Sequence, residues 1–274
     1  MNYGQQLVMN EMKENGCVHL QVKASLFVSS GITDTGRIRS ENQDAIFLDE
    51  AGNFMLLADG MGGHEHGAEA SQTTLKVMRE YFHPEVVKAE LQEITEGSGI
   101  PSEIVCFLSL VDEAVNKANE ILYERNQKDN LQRFMGTTVV GLIFVGGGYA
   151  LWFHVGDSRL YRWRDSELRC LTIDHSAYAE WIRRGKSGIE PGKNIVTRAI
   201  GPNPNVAAET LWEKWQQGDT YILCSDGLTD MISEDQIAQI LSTEKTVDDI
   251  AGRLIGAANE AGGKDNTSVV VCSV

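Results

Sequence analysis

The sequence predicts an α+β fold in which antiparallel β-sheets are covered by helices. Strand-type segments come first, then two long helix-type segments, then further strands, two helices and a last strand, an order unlike strict βαβ alternation. No repeat, low-complexity tract or Pro/Ser-rich linker divides the 274 residues, which are enough to bury one substantial core. We therefore expect a single α+β domain.

Strands are predicted where β-branched and aromatic residues form short apolar runs or alternate with polar residues. Val18, Leu20 and Val22 alternate with polar residues and indicate a first, half-buried strand. Residues 1 to about 17 show no clear period and are expected to form a loose terminus. The further predicted strands are Ser25–Ser30, Ala45–Asp49, Phe54–Ala58, Thr137–Val145, Tyr149–Val155, Leu160–Trp163, Ile195–Ala199, Thr220–Cys224 and Thr267–Val271.

Helices are predicted where apolar residues recur at spacings of three and four. These segments are Gly67–Phe82, Ser102–Gln127, Glu234–Leu241 and Val247–Ala261. Residues 84–101, which lie between the two longer segments and have proline at both ends, are predicted to be a surface connection.

One apolar stretch requires a choice between a membrane helix and buried strands. Residues 137–155 contain no Lys, Arg, Asp or Glu, and their length would nearly span a bilayer. Three consecutive glycines at 146–148 interrupt the stretch, and both halves are rich in β-branched and aromatic residues. Two buried strands joined by a glycine turn are therefore expected, with no membrane association.

The composition is globular and acidic, with 42% hydrophobic and 23% charged residues. The 39 Asp and Glu residues exceed the 24 Lys and Arg residues and give a formal charge of -15, so we expect no nucleic-acid partner. The surplus is either a solvated acidic surface or a set of acids gathered for a purpose such as metal binding.

The cysteines and the N-terminus favour a cytoplasmic protein. The five cysteines are scattered and none form a C-x-x-C pair, so neither a zinc knuckle nor a disulfide framework is expected. The first residues lack a basic region followed by an apolar run, and so no signal peptide is predicted.

Acidic residues follow three predicted strands at the point where each strand ends. Asp59 follows the strand at Phe54–Ala58, Asp157 comes two residues after the strand that ends at Val155, and Asp226 follows Cys224-Ser225. Any one Asp-Gly pair is an ordinary turn signal, but three such strand ends are harder to explain that way. Two more acids lie in loops beside strands, Asp44 and Asp265.

Carboxylates crowded into one cleft repel one another and need a counterion, and a hard divalent cation such as Mg²⁺ or Mn²⁺ accepts oxygen ligands. Residues suited to phosphate chemistry lie near these acids. Arg39 can grip phosphate oxygens with its planar fork, and His64 can serve as a general acid near neutral pH. The glycines beside Asp59, beginning at Gly60, allow close approach of the backbone to a ligand.

These residues occur within an ordered set of motifs that resembles the metal-dependent serine/threonine protein phosphatases of type 2C, especially their bacterial forms. The motifs span nearly all of residues 25–274. They are GRIRSENQD at 36–44, LLADGMGGHEHGAEAS at 56–71, GTT at 136–138, VGDSRLYRW at 155–163, LTIDHS at 171–176, TRAIG at 197–201, ILCSDGLTD at 222–230 and GGKDNTSVVV at 262–271.

The resemblance implies a fold of two packed antiparallel sheets flanked by helices, with a metal cluster at one end. It also implies roles for the candidate residues. Asp59 would bridge two Mn²⁺ or Mg²⁺ ions, and the Gly60 carbonyl would bind one of them. Asp226 and Asp265 would complete the ligand set of the other ion. Asp157 would be a ligand of a third, more weakly bound metal ion, which it would share with Asp226. Asp44 would hold metal-bound waters.

The resemblance further implies hydrolysis of phosphoserine and phosphothreonine by a metal-bridging hydroxide, without a phosphoenzyme. Arg39 would bind the substrate phosphate and His64 would protonate the leaving alkoxide. The partners would be phosphorylated proteins, namely a cognate Ser/Thr kinase or its targets. The enzyme, expected to be a monomer, would oppose that kinase. The catalytic domain would cover 25–274, after an N-terminal extension at 1–24 with a possible first strand.

The segment at about 175–198 corresponds to the family's flap beside the active site. It is several residues shorter than usual and contains Gly185, Gly188 and Gly192 in place of a longer helical portion. This departure puts flap-dependent substrate choice in doubt. Gln43 stands where eukaryotic members have an acidic residue.

The sequence lacks the motifs of other phosphatase classes. No Cys is followed six residues later by Arg, no two Asp lie at i and i+2, and Gly185-Lys186-Ser187 is not preceded by the glycine of a P-loop. Two alternatives remain open: a catalytically silent interaction module with the same fold, and a metal-dependent phosphatase or phosphodiesterase that acts on a small metabolite.

Overall fold

The chain forms four layers, in which two antiparallel β-sheets pack face to face and helices cover both outer faces. This architecture is seen in a computed structural model that describes residues 8–14, 16–24, 26–62, 65–94, 99–129 and 134–274. One sheet has the strand order β1-β2-β3-β13-β12-β9-β10, and the other has the order β11-β8-β7-β5-β4, with β6 paired to β5. The strands are Val8–Glu14 (β1), Cys17–Lys23 (β2), Val28–Asp34 (β3), Asp44–Leu48 (β4), Phe54–Met61 (β5), Gly136–Thr137 (β6), Val139–Val145 (β7), Tyr149–Val155 (β8), Arg159–Arg164 (β9), Glu167–Cys170 (β10), Glu209–Lys214 (β11), Thr220–Cys224 (β12) and Thr267–Ser273 (β13).

The helices occupy two outer layers. Those packed on the sheet that contains β5 are α1 and α3, and those packed on the sheet that contains β13 are α6 and α7. The bounds are Glu65–Tyr81 (α1), Pro84–Glu93 (α2), Ser102–Lys128 (α3), Ala177–Arg183 (α4), Asp226–Thr229 (α5), Glu234–Thr243 (α6) and Val247–Glu260 (α7).

Alternation of side chains along the central strands builds the core. On β5, Leu56 faces the helices α1 and α3, while Met55 and Leu57 face the other sheet. On β13, Val270 lies between the sheets and Val271 packs against α6 and α7. Both faces of these strands are buried, and this explains why their sequences are continuous apolar runs rather than alternating patterns.

Strand direction brings the candidate acids to one end of the sandwich. The strands β5 and β8 run in the same direction because each is antiparallel to β7, so the ends that carry Asp59 and Asp157 coincide. Asp44 begins β4 and is paired directly with Asp59 across the antiparallel register. In the other sheet, β12 ends just before Asp226, and the antiparallel β13 begins just after Asp265.

The structure confirms most predicted strands and corrects several. The predicted loose terminus is wrong for Val8–Glu14, which pairs along its whole length with β2. The prediction at Ser25–Ser30 is displaced, because the strand runs from Val28 to Asp34. The predicted strand at Ile195–Ala199 is wrong: these residues contribute an isolated bridge between Ser176 and Val196 rather than a ladder.

Two further strands were not predicted, and each has a physical reason. The strand β10 follows β9 through Asp165 and Ser166, which both have positive φ, as a two-residue type I′ hairpin turn requires. Aspartate and serine are weaker signals for that turn than glycine. The strand β11 lies at a sheet edge with much of its surface exposed, and so it lacks a clear apolar pattern.

The four predicted helices are confirmed within two residues, but the surface connection at 84–101 is wrong over α2. This helix begins at Pro84, and the His83 side chain accepts a hydrogen bond from the Glu85 backbone. None of its residues is buried, so the apolar period that reveals a helix is weak there. The short helices α4 and α5 were also not predicted.

No helix in the part of the chain that the structure describes is long and apolar enough to cross a membrane. The apolar stretch at 137–155 forms β6, β7 and β8, with the glycines at 146–148 in the turn. The prediction of two buried strands joined by a glycine turn is therefore confirmed.

Phe153 provides a test of the packing between α1, α3 and the sheet. Its side chain is fully buried, and its ring lies against the backbone of Gly141 on β7, where an added Cβ would come within 2.4 Å of the ring. We expect Phe153→Ala to lower the free energy of unfolding by about 3–5 kcal/mol in urea denaturation. Leu211→Ala on the neighbouring strand, where the side chain is 40% exposed, should lower it by less than about 1 kcal/mol. Equal losses in the two variants would contradict this account of the core.

Candidate active site

A polar cavity of about 420 Å³ lies at the end of the sandwich where the acidic strand ends meet. The structure brings six of the predicted site residues together in its wall: Arg39, Asp59, Gly60, Asp157, Asp226 and Asp265. Among the described lining residues, these four aspartates and Glu41 face a single guanidinium, that of Arg39. The cavity is therefore strongly electronegative.

Two threonine hydroxyls hold Asp59 through its backbone N–H and carbonyl groups. The Thr138 hydroxyl accepts a hydrogen bond from the Asp59 N–H at 3.1 Å, and the Thr137 hydroxyl donates to the Asp59 carbonyl at 2.8 Å. A hydrogen bond with the Asp59 side chain is one of the causes that lower the pKa of Asp226, so the two acids are paired across the cavity between the two sheets. Two carboxyl groups can share a hydrogen bond only if one of them carries a proton or a cation replaces it.

Burial and mutual repulsion raise the pKa values of these acids. Desolvation, followed by the charge of Asp226, raises the pKa of Asp157 to about 7. Desolvation and the charge of Asp265 raise the pKa of Asp226 to about 6. The pKa of Asp59 also lies well above its ordinary value, through burial first and then the charges of its neighbours. Ionised carboxylates are therefore unfavourable here without added positive charge.

Asp44 lies behind the cavity wall rather than in it. Its side chain is buried, and desolvation raises its pKa to about 7 even though Ser268 and Ser225 donate hydrogen bonds that lower it. The Ser268 hydroxyl lies 2.6 Å from Asp44 Oδ2. The charges of Asp226 and Asp265 act on Asp44, so it belongs to the same electrostatic cluster.

Arg39 is placed at the mouth of the cavity by an ion pair. Its Nη2 lies 2.7 Å from Asp265 Oδ2, and both side chains are about half exposed, at 53% and 40%. An exposed pair of this kind adds little stability, so the guanidinium can exchange this partner for another anion at small cost.

Glycine is required at two positions where the backbone approaches closely. A Cβ on Gly60 would come within 2.0 Å of the Gly67 carbonyl oxygen and 2.6 Å of the Gln43 carbonyl oxygen. Gly156 has a φ of 107°, and a Cβ there would come within 2.5 Å of the Thr138 side chain. These glycines allow β5 and the loop before Asp157 to bring their acids to the cavity.

His64, the predicted general acid, lies outside the described residues, between the end of β5 and the start of α1. Gly60 and Met61 in the cavity wall precede it along the chain by a few residues. The assignment of His64 as the acid stays a prediction.

Asn266 is a site residue that the sequence analysis missed. Its amide Nδ2 donates to the carbonyls of Thr35 and Glu41, and its Oδ1 accepts from the Gln43 N–H at 2.9 Å. These bonds fasten the loop that carries Arg39 to the loop that carries Asp265. The Asp-Asn pair before a predicted strand was the available signal, since asparagine can satisfy backbone groups of irregular segments.

The predicted flap at 175–198 lies beside the cavity and contributes Asn194 and Val196 to its wall. Its two ends meet through a bridge between Ser176 and Val196 and a hydrogen bond of 2.8 Å from Thr197 N–H to the His175 carbonyl. The segment between them contains the short helix α4 and turns.

A second cluster of ligand-type atoms lies beneath the flap, where atoms of His154, His175 and Glu209 lie within 4.8 Å of one another. The two imidazole rings stack with centroids 4.5 Å apart and an angle of 13°, so their in-plane lone pairs do not converge on one ion. Arg198 Nη1 lies 3.1 Å from His175 Nε2, and burial, His154 and Arg198 lower the pKa of His175 to about 4. The His175 Nδ1 accepts from the Gly156 N–H, so the cluster links the flap to the Asp157 loop.

Known proteins are similar to this chain over most of its length. The sequence profile described as Protein phosphatase 2C matches residues 37–259. The serine/threonine phosphatase stp of Listeria monocytogenes is 34% identical over 247 residues, which cover 87% of this chain and 92% of that protein.

Solved structures share the fold. A serine/threonine phosphatase of S. agalactiae superposes with a TM-score of 0.75 at 35% identity, covering 90% of this chain and 99% of that chain. The catalytic domain of the serine/threonine protein phosphatase PstP, in complex with 2 manganese ions, gives a TM-score of 0.72 at 30% identity, with coverages of 90% and 98%. The expected two antiparallel sheets flanked by helices are confirmed. The chain therefore belongs to the protein phosphatase 2C family and is a protein-serine/threonine phosphatase of its bacterial type.

Proposed function

We propose that this phosphatase hydrolyses phosphoserine and phosphothreonine in proteins with divalent cations, Mn²⁺ or Mg²⁺, held in the cavity at the end of the sandwich. The observation that carries the proposal is the convergence of Asp59, Asp157, Asp226 and Asp265 on one cavity with Arg39 at its mouth. The physiological substrates are proposed to be proteins phosphorylated by a Ser/Thr kinase that this enzyme opposes.

The donor set fits hard divalent cations. Carboxylate oxygens are the ligands that Mg²⁺ and Mn²⁺ prefer, and the raised pKa values of Asp157 and Asp226 indicate a site where added positive charge is favourable. The related PstP catalytic domain was solved with 2 manganese ions. Bound cations would lower the pKa of a water nucleophile and offset the charge of the phosphate oxygens.

We assign the ligands as follows. Asp59 would be a ligand of both cations of the core site. The Gly60 carbonyl would be a further ligand of one cation, and Asp226 and Asp265 would be further ligands of the other. A third cation, if present, would lie between Asp157 and Asp226, whose charges already act on one another. Asp44, which lies behind the cavity wall, would hold waters that are bound to the cations.

Two basic residues would handle the substrate. Arg39 would exchange Asp265 for the substrate phosphate and hold it by bidentate hydrogen bonds. His64 would donate the proton that a serine or threonine alkoxide needs to leave, which is worth roughly 10²–10⁴-fold in rate. The proposed catalytic domain covers residues 25–274, with the flap at 175–198 as one wall of the substrate site.

The first test is an assay of purified protein on a phosphoserine peptide and on nucleotide phosphates, with Mn²⁺ and with a chelator. We expect metal-dependent hydrolysis of the phosphopeptide and a loss of at least about 100-fold in Asp226→Asn. Asp235→Asn, an exposed acid on α6, should keep wild-type activity. Activity confined to nucleotide phosphates would support a small-metabolite enzyme instead, and no activity on any substrate would support a silent module.

The second test concerns His64. An aryl phosphate with an acidic phenol leaves without help, whereas a serine alkoxide needs a proton. His64→Ala should therefore lower kcat on phosphopeptides by about 100-fold or more and lower kcat on the activated aryl phosphate far less. Equal losses on both substrates would remove His64 from the acid role.

The third test uses pH and concerns Asp157. Its folded-state pKa, about 7, lies above the unfolded value, 3.8, so the folded protein without cations loses stability as pH rises from about 4 through 7. Asp157→Asn removes this loss. In the presence of a chelator, we expect the stability gain of Asp157→Asn over wild type, from urea denaturation, to be about 2 kcal/mol larger at pH 7.5 than at pH 5.

Saturating Mn²⁺ should reverse the order of the two proteins at pH 7.5, because the cation stabilises wild type more than the variant. A stability difference that does not vary with pH would mean that the Asp157 carboxyl is solvated rather than buried among other charges.

A further inference from the structure

We propose that Thr33, Asn42 and Ser268 are positioning residues that form, with Asp44, a closed ring of hydrogen bonds, and that this ring fixes the orientation of the Asp44 carboxyl group behind the cation site. The proposal rests on the proposed function in one respect, because it takes Asp44 to serve bound cations.

The ring consists of four short contacts. The Asp44 backbone N–H lies 3.1 Å from Asn42 Oδ1, and Asn42 Nδ2 lies 2.8 Å from Thr33 Oγ1. The Ser268 Oγ lies 2.6 Å from Thr33 Oγ1 and 2.6 Å from Asp44 Oδ2, which closes the ring. Thr33, Ser268 and Asp44 are buried, so water does not compete for these bonds.

One backbone group fixes the orientation of the Asn42 side chain. The Asp44 N–H can only donate, so the Asn42 side chain must present its oxygen to Asp44 and its NH₂ to Thr33. Thr33 Oγ1 then accepts from Asn42. The Ser268 hydroxyl lies within donor distance of both Thr33 Oγ1 and Asp44 Oδ2, and it carries one hydrogen, so it donates to one of them at a time.

Ser268 is the member of the ring through which Thr33 and Asn42 act on the Asp44 carboxyl group. Its hydroxyl makes two of the four contacts, to Thr33 Oγ1 and to Asp44 Oδ2. Removal of this hydroxyl would therefore open the ring and leave Asp44 Oδ2 without its 2.6 Å partner.

Ser268 also links the ring to the end of β12. Its backbone N–H donates to the Ser225 hydroxyl oxygen at 3.0 Å. Residues from β3, β4 and β13 thus meet around Asp44, so the packing of the strands and the orientation of Asp44 are coupled.

The test measures Mn²⁺ affinity directly by calorimetric titration, with phosphatase activity as a separate readout. Ser268→Ala should weaken Mn²⁺ binding by about 10-fold or more, whereas Ser268→Thr, which restores a hydroxyl, should stay within about 3-fold of wild type. Ser273→Ala is the matched control, because Ser273 lies on the same strand and its hydroxyl pairs with Thr220 at 2.9 Å. It should bind Mn²⁺ as wild type does.

Asn42→Asp separates the ring from simple charge. The new carboxylate can still accept from the Asp44 N–H but cannot donate to Thr33, and so the contact that joins Asn42 to the rest of the ring is lost. An added negative charge alone would tighten cation binding, whereas loss of the ring should weaken it by about 10-fold. All titrations are made below the unfolding temperature of each variant, so that a purely structural role would lower that temperature without weakening Mn²⁺ binding.

The proposal that the ring positions Asp44 would be wrong if Ser268→Ala or Asn42→Asp bound Mn²⁺ as tightly as wild type or more tightly. It would also be wrong if Ser268→Ala and Ser268→Thr weakened Mn²⁺ binding equally. If wild type binds Mn²⁺ but hydrolyses no phosphopeptide, the proposed function fails while the titrations still decide the ring. If wild type binds no Mn²⁺, both are wrong.

Discussion

The buried carboxylates at the end of the β-sandwich impose the constraint on which the rest of the site depends. Each acid loses hydration on folding and repels its neighbours, so the cluster destabilises the fold unless positive charge is present. The apolar layers on both sides of each sheet supply the opposing free energy. Carboxylates that are destabilised in this way and gathered in one cavity mark a candidate functional site.

Hydrogen bonds between loops and strand ends convert this cluster into a defined geometry. Asn266 ties the loop of Arg39 to the loop of Asp265, and Thr137 and Thr138 hold the backbone of Asp59. The partners of Asn266 are backbone groups of the segment between β3 and β4, whereas the threonines contact backbone groups of Asp59 within β5. Strands that carry acids of the site, such as β5, also carry core residues, so a change in core packing would displace the acids in the cavity wall.

Sequence and structure agree best where burial is complete. The central strands, such as Phe54–Met61 and Val139–Val145, could be predicted because both faces are covered and only apolar residues fit there. Prediction was poorest where exposure leaves composition unconstrained, as in α2, which has no buried residue, and in β11 at a sheet edge. The flap strand at Ile195–Ala199 was wrong because a short apolar run does not by itself supply a pairing partner.

The sequence by itself determined the layered α+β class, the identity of the acids at the strand ends and the family, because periodicity, residue type and motif order are local properties of the chain. Only the tertiary structure decided which acids share the cavity, that Asp44 lies behind its wall, and that Ser268 contacts the Asp44 carboxyl group. Those facts depend on strand direction and register between residues more than 200 positions apart, such as Asp44 and Ser268, and long-range pairing leaves no local pattern to read.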